Sequence, residues 1–87
     1  MSAEKNFERF LDDTGRVIRW PKKKADQLEV LKYLRTKFEG GKKYSEKEVN
    51  ALLDAWHIFG DRALLRRMLF DLYLLERTPD GREYWIE

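Results

Sequence analysis

The chain reads as an α+β domain, a winged helix-turn-helix-like core with an added N-terminal helix and strand, on three grounds. Ser45 with Glu48 three residues on opens one helix, and after a short turn Asp61 opens another. The second of these carries Arg62, Arg66 and Arg67 and runs into a turn at Pro79, Asp80 and Gly81, between two strand-like segments. A helix followed at once by a two-stranded ribbon is the arrangement in which one helix lies in a DNA groove while the ribbon rests on the backbone.

Length sets the scale. A chain of 87 residues supports one small core, and roughly 60 to 65% of the surface that the unfolded chain exposes is buried at this size. Residues 1–87 are read as one domain: an extension over 1–21, a three-helix core over 22–73 and a wing hairpin over 74–87.

Taken in order, Phe7, Phe10 and Leu11 recur at helical spacing within 4–12, a short amphipathic helix ended by Asp12, Asp13, Thr14 and Gly15. Residues 16–20 read as a strand, β-branched at Val17 and Ile18 and closed by Pro21, which disfavours helix at Trp20. From 22 to 38, Leu28, Leu31, Leu34, Arg35 and Phe38 mark a helix of about four turns, which Gly40 and Gly41 stop. Ser45 and Glu48 form a capping box, and Tyr44 can pack on Val49 as a hydrophobic staple; the helix then presents Val49, Leu52, Leu53 and Trp56 on one face. His57, Ile58, Phe59 and Gly60 make a turn, and Asp61 caps a helix whose apolar stripe is Leu65, Met68, Leu69 and Leu72, ending near Tyr73. Segments 74–78 and 82–86 then flank the turn in which proline presets φ and glycine accepts φ > 0. With strand-like Tyr44 counted between the first two of its helices, the last five elements, helix, strand, helix, helix and hairpin, match a helix-turn-helix with a wing.

Composition excludes several function classes. With 43% hydrophobic and 39% charged residues the chain is globular, and its apolar stretches fall short of a membrane span. The N-terminus lacks the basic-then-apolar build of a secretory signal and cysteine is absent, so a cytoplasmic location is expected. One histidine, His57, and no cysteine leave no constellation for nucleophilic attack or a zinc site, and no phosphate-binding glycine loop is visible. Glu46 with Glu48 and Asp12 with Asp13 are read as helix-end electrostatics and turn chemistry. No enzyme, cofactor or metal is expected.

Net charge is only +2, so affinity for nucleic acid must come from clustered charge. On the last helix the solvent side carries Ala63, Arg66, Arg67 and Phe70, flanked by Arg62 and Tyr73. Arg67 has Asp71 at i+4, a surface ion pair in its plain reading. Arg66 has no acid at that spacing, only the like charge of Arg62 four residues back, which an anionic ligand would offset. A second cluster is Arg16, Arg19, Lys22, Lys23 and Lys24, in which Lys22 and Lys23 can reach Asp26 and Lys24 cannot. The hairpin argues partly against DNA: Asp80 sits at its tip and Glu76 and Glu83 flank it, leaving Arg77 and Arg82 for phosphates. Tyr84, Trp85 and Ile86, like Trp20 and Trp56, are read as sheet and core residues, not as a stacking platform. Phe70 on an exposed face needs cover from the N-terminal helix, through Phe7 and Phe10, or from another chain.

With these motifs in place, the chain resembles the bacterial family called domain of unknown function 2087, found alone or attached to helix-turn-helix regulators. The resemblance lies in Phe38 and Glu39 with the run Tyr44 to Asn50, then Asp61, the run Leu65 to Leu69 and Asp71, then Leu75, Glu76, Arg77 and Gly81 with Tyr84 and Trp85. It implies a winged-helix-like fold and a role in transcriptional regulation or nucleic-acid binding, and it transfers no catalytic residues. The family's paired arginines fall on Arg66 and Arg67, which raises both a ligand-binding role and a structural one, bridging to Asp61, Asp71 or Asn50. The family pattern also has glycine near the position of Tyr73.

The leading expectation is a cytoplasmic bacterial winged-helix protein contacting phosphates of double-stranded DNA through Arg62, Arg66, Arg67 and the basic turn Lys22, Lys23 and Lys24. The alternative is a protein-interaction module, a homodimer or a partner of a regulatory protein, with Phe70 and Tyr73 as the contact.

Overall fold

The computed structural model describes residues 3–87, with side chains from residue 7 onward. The protein is α+β: a 3-10 helix at Ala3–Phe10, then α1 (Lys24–Arg35), α2 (Glu46–Trp56), α3 (Arg62–Asp71), and an antiparallel ribbon of β1 (Glu76–Arg77) and β2 (Tyr84–Trp85).

Local chemistry accounts for the helix starts. Ser45 Oγ accepts from the Glu48 amide at 3.0 Å while the Glu48 carboxylate accepts from the Ser45 amide at 2.9 Å, the reciprocal capping box expected at α2. Asp61 caps α3 by accepting from the Leu64 amide at 3.2 Å. The turn between them is held by His57, which is buried: its Nδ1–H donates to the Leu53 carbonyl at 2.7 Å and Nε2 accepts from the Asp61 amide at 3.0 Å. Since one partner only accepts and the other only donates, the ring is set in its neutral Nδ1–H form.

Helix α1 is shorter than the 22–38 periodicity suggests. Lys23 occupies the N-cap and offers no side-chain acceptor, so the helix starts only at Lys24. At its other end the amides of Thr36, Lys37 and Phe38 bond three residues back, to Tyr33, Leu34 and Arg35, a tightened turn in place of α-helix.

The end of α3 is a full Schellman motif. Leu72 is the C-cap, the Tyr73 amide donates to Phe70 at 3.0 Å and the Leu74 amide to Leu69 at 2.8 Å. This geometry requires the residue after the cap to be left-handed, and Tyr73 has φ 61. The helix therefore stops where the periodicity places it, with a non-glycine residue in the strained position. Arg35 of α1 reaches the same corner, donating from Nε to the Leu74 carbonyl at 2.9 Å.

The strand expected over 16–20 does not form. Val17 alone makes bridges, antiparallel to Leu11 and parallel to His57, with its amide donating to Trp56 and its carbonyl accepting from Ile58. A strand needs a partner along its length, and here the α2–α3 corner supplies only one residue's worth before Pro21 removes a donor. Val17 is fully buried, so the apolar reading of that position holds although the strand does not. The preceding 3-10 helix packs on α1, where the Phe7 and Tyr33 rings lie 5.4 Å apart and the Tyr33 hydroxyl donates to the Gly15 carbonyl at 2.6 Å. Gly15 has φ +86, and a Cβ there would come within 2.8 Å of the Tyr33 oxygen, so any other residue would strain this turn and displace the tyrosine.

In the hairpin, Glu76 pairs with Trp85 and Arg77 with Tyr84. Tyr44 adds a one-residue third segment: its amide and carbonyl each bond Tyr84 at 2.7 Å, which puts β2 between Tyr44 and β1. The core draws Val30, Leu31 and Leu34 from α1, Val49 and Leu53 from α2, Leu65 and Leu69 from α3, and Leu75, Tyr84 and Ile86 from the hairpin. Each fully buried leucine contributes about 1.5–3 kcal/mol. Three positions depart from the periodicity: Val30 is a core residue, Leu28 of the expected α1 stripe lies outside the core cluster, and Leu72, expected on the α3 stripe, is 42% exposed because the helix has already ended.

Candidate functional site

Where the start of α2, the outward side of α3 and the hairpin meet, they enclose an open cleft of about 390 Å³. Its charged lining is three guanidiniums, Arg66, Arg67 and Arg77, against two carboxylates, Glu46 and Asp71. Phe70 and Tyr84 supply the apolar part.

The three arginines are held differently. Arg66, 23% exposed at its side chain, hydrogen-bonds the Asn50 side-chain carbonyl and lies 3.9 Å from Glu46. The absence of a helical i+4 partner, read in the sequence as leaving Arg66 unpartnered, is made good across the α2–α3 interface. Of the structural bridges that the family resemblance raised for the arginine pair, Arg66 makes the one to Asn50. Arg77 lays its guanidinium over the Phe70 ring at 4.5 Å to the centroid. This contact covers Phe70, which is half-buried; the N-terminal helix expected to do so packs on α1 instead. Arg67 is exposed and has no hydrogen bond, ion pair or ring contact among the described residues, and the expected Arg67–Asp71 pair does not form. Both side chains open onto the cleft.

Arg62 lies outside the cleft lining. Its guanidinium meets Asp54 of α2 at 2.6 Å, with both side chains about half exposed, so the pair is solvent-screened and its net energy small. The like charges of Arg62 and Arg66 are thus drawn apart, each by a different residue of α2. Tyr73, the other interaction candidate, is 83% exposed at the α3 end beside Leu72.

The basic turn belongs elsewhere. Lys22 and Lys23 line a separate cleft of about 380 Å³ with Arg9, Arg19, Trp20 and Asp26, floored by Phe10. No residue lines both clefts. Asp26, which Lys22 and Lys23 can reach in the sequence reading, is bonded to Arg9 at 3.0 Å. Lys24 is exposed and does not line the cleft, and Arg16 is drawn off to Asp12 at 3.1 Å. Sequence reasoning missed Arg9 as a functional neighbour, because its contact with Asp26 crosses between elements and leaves no local spacing to read.

Among the described residues the Asp12 and Asp80 carboxyls are held below their ordinary value, and both serve turns. The Arg16 backbone amide and the Thr14 hydroxyl donate to Asp12 and hold its carboxyl down at about 2. The Thr78 hydroxyl and the Arg82 amide likewise lower Asp80 in the hairpin turn. Among the described residues no group of three acidic, histidine or cysteine side chains could hold a metal ion, and no helix is long and apolar enough to cross a membrane.

Comparison with known proteins gives one family match: the model described as an uncharacterized protein conserved in bacteria (DUF2087) covers residues 16–86. No curated protein and no solved structure matches the chain.

Proposed function

Given that the chain belongs to this bacterial DUF2087 family, we propose that it is a winged-helix module that binds double-stranded DNA through backbone phosphates, in a regulatory role. The element order supports the fold assignment: α1, the Tyr44 segment, α2, α3 and a hairpin whose second strand lies between its first and Tyr44. In that layout α3 faces the groove and the ribbon the backbone.

The observation that carries the reading is Arg67, an exposed guanidinium without a side-chain partner among the described residues, at a cleft that Arg66 and Arg77 also line. A cation held by no neighbouring carboxylate has nothing to give up on meeting a phosphate except water. The 3-10 helix packs on α1, and none of the described N-terminal residues lines the α3 cleft, which favours access to this face. Glu46, Asp71 and the hairpin-tip Asp80 limit affinity and oppose close approach of the wing, so binding is weak and strongly salt-dependent. Arg62 contributes only after leaving Asp54.

Fluorescence anisotropy with a labelled duplex of about 20 base pairs across a salt series tests this. Affinity falls steeply with salt, and Arg67→Ala weakens binding uniformly across sequences and lowers the salt slope by about one. Absence of binding at low salt ends the proposal.

A second reading rests on Leu72 and Tyr73, adjacent, apolar and exposed at the α3 end. They fit a protein contact, a second copy of the chain or a regulatory partner. Sedimentation at high concentration decides the homodimer: Tyr73→Asp lowers the mass if the contact exists, and a strict monomer excludes it.

A further inference from the structure

The cleft at the start of α1 is more cationic than the one beside α3. Arg9, Arg19, Lys22 and Lys23 line it against the single carboxylate of Asp26, a local excess of three positive charges where the α3 cleft has one. The Lys22 and Lys23 side chains are exposed and make no hydrogen bond or ion pair among the described residues. Arg19 and Arg9 both lie against the Phe10 ring, at 4.8 and 4.5 Å from its centroid. Aromatic packing thus fixes two guanidiniums beside a pair of lysines. Trp20, half-buried against the core, lines the same space.

Gathering like charges costs energy, and in the lining of this cleft Asp26 is the one carboxylate that offsets it. The lysines also sit at the positive end of α1, where the N-cap residue supplies no acceptor, so the first-turn amides add to the same field. A compact anion with several charges would answer all of these groups together, and a cleft of about 380 Å³ falls in the size range of small-ligand sites. A carboxylate carries too little charge for this set; a di- or triphosphate matches it. The indole adds a flat apolar face, against which a planar base can stack.

We propose that this cleft binds a nucleoside di- or triphosphate, with its phosphates on Lys22, Lys23 and Arg19 and its base against Trp20. The site is independent of the α3 cleft and stands whether or not that face binds DNA.

The test is a ¹H–¹⁵N correlation titration of the full chain at low salt with inorganic pyrophosphate and, separately, with a nucleoside triphosphate. Both ligands shift the amides of residues 19–27 saturably, the nucleotide binds more tightly, and it alone strongly moves the Trp20 indole Nε1–H. The exposed double variant Lys22→Ala, Lys23→Ala weakens both roughly tenfold or more, whereas Arg67→Ala leaves them unchanged. Equal affinity for the two ligands overturns the nucleotide assignment. No saturable shift, a shift centred on Arg67, or one insensitive to the lysine variant overturns the site itself.

Discussion

Tyr73 offers a direct probe of how α3 ends. Its φ of 61 lies in the left-handed region, where a side chain with a Cβ is destabilised by about 1–2 kcal/mol. Glycine removes that strain and adds about 0.5–1 kcal/mol of unfolded-state entropy. Because the tyrosine is 83% exposed, the ring contributes little burial, but its loss still blurs a direct comparison with the parent. Tyr73→Ala and Tyr73→Gly remove the same ring and differ in the strain and the opposing glycine entropy alone, which makes them the informative pair. The glycine variant is expected to exceed the alanine variant by about 0.5–1 kcal/mol, or roughly 2–8 °C in Tm for a domain of this size. Urea and thermal unfolding followed by far-UV circular dichroism measure it. In the middle of α2 the exposed Ala51 should show the opposite sign, with Ala51→Gly costing about 1 kcal/mol. If alanine equals or exceeds glycine at position 73, the left-handed corner and its Schellman bonds are not what ends the helix.

His57→Phe keeps the ring volume but leaves the Leu53 carbonyl and the Asp61 amide without their partner, and should lower unfolding stability by about 2–3 kcal/mol in urea titrations. Leu69→Ala removes a fully buried side chain from the α3 face and is expected to cost about 2–5 kcal/mol by the same assay. The Asp12 carboxyl is lowered from 3.8 to about 2, so its contribution is present above its unfolded-state value and is lost as pH falls through about 2. Asp12→Asn should therefore unfold more readily than the parent at neutral pH, with the gap closing on acidification through that window, as a series of thermal melts would record.

What the sequence could tell was set by neighbours along the chain. The capping box at Ser45 and Glu48, the Asp61 cap, the hairpin turn at Gly81 and the Leu65–Leu69 stripe are local patterns, and each forms as its spacing implies. The α3 boundary was legible from the periodicity, which runs out near Tyr73, although this chain carries tyrosine where the family pattern has glycine. Where prediction failed, the deciding partner was distant. Residues 16–20 have the composition of a strand but find only single-residue bridges, because the corner beside Val17 presents no more edge. Arg66 lacks a helical partner and obtains Asn50 from α2; Arg67 has one at Asp71 and does not take it. Phe70 needed a cover, and Arg77 of the hairpin provides it.

Local chain chemistry is enough to set the order of the helices, the caps of α2 and α3, the hairpin and most of the buried stripe, because these follow from periodicity and from hydrogen bonds within a few residues. Which of the described cations lack a partner depends on packing between elements. Ion pairs form between side chains brought within about 4 Å by packing, and packing joins Arg62 to Asp54 and Arg9 to Asp26 from different elements. It leaves Arg67, Lys22 and Lys23 facing solvent in two separate clefts.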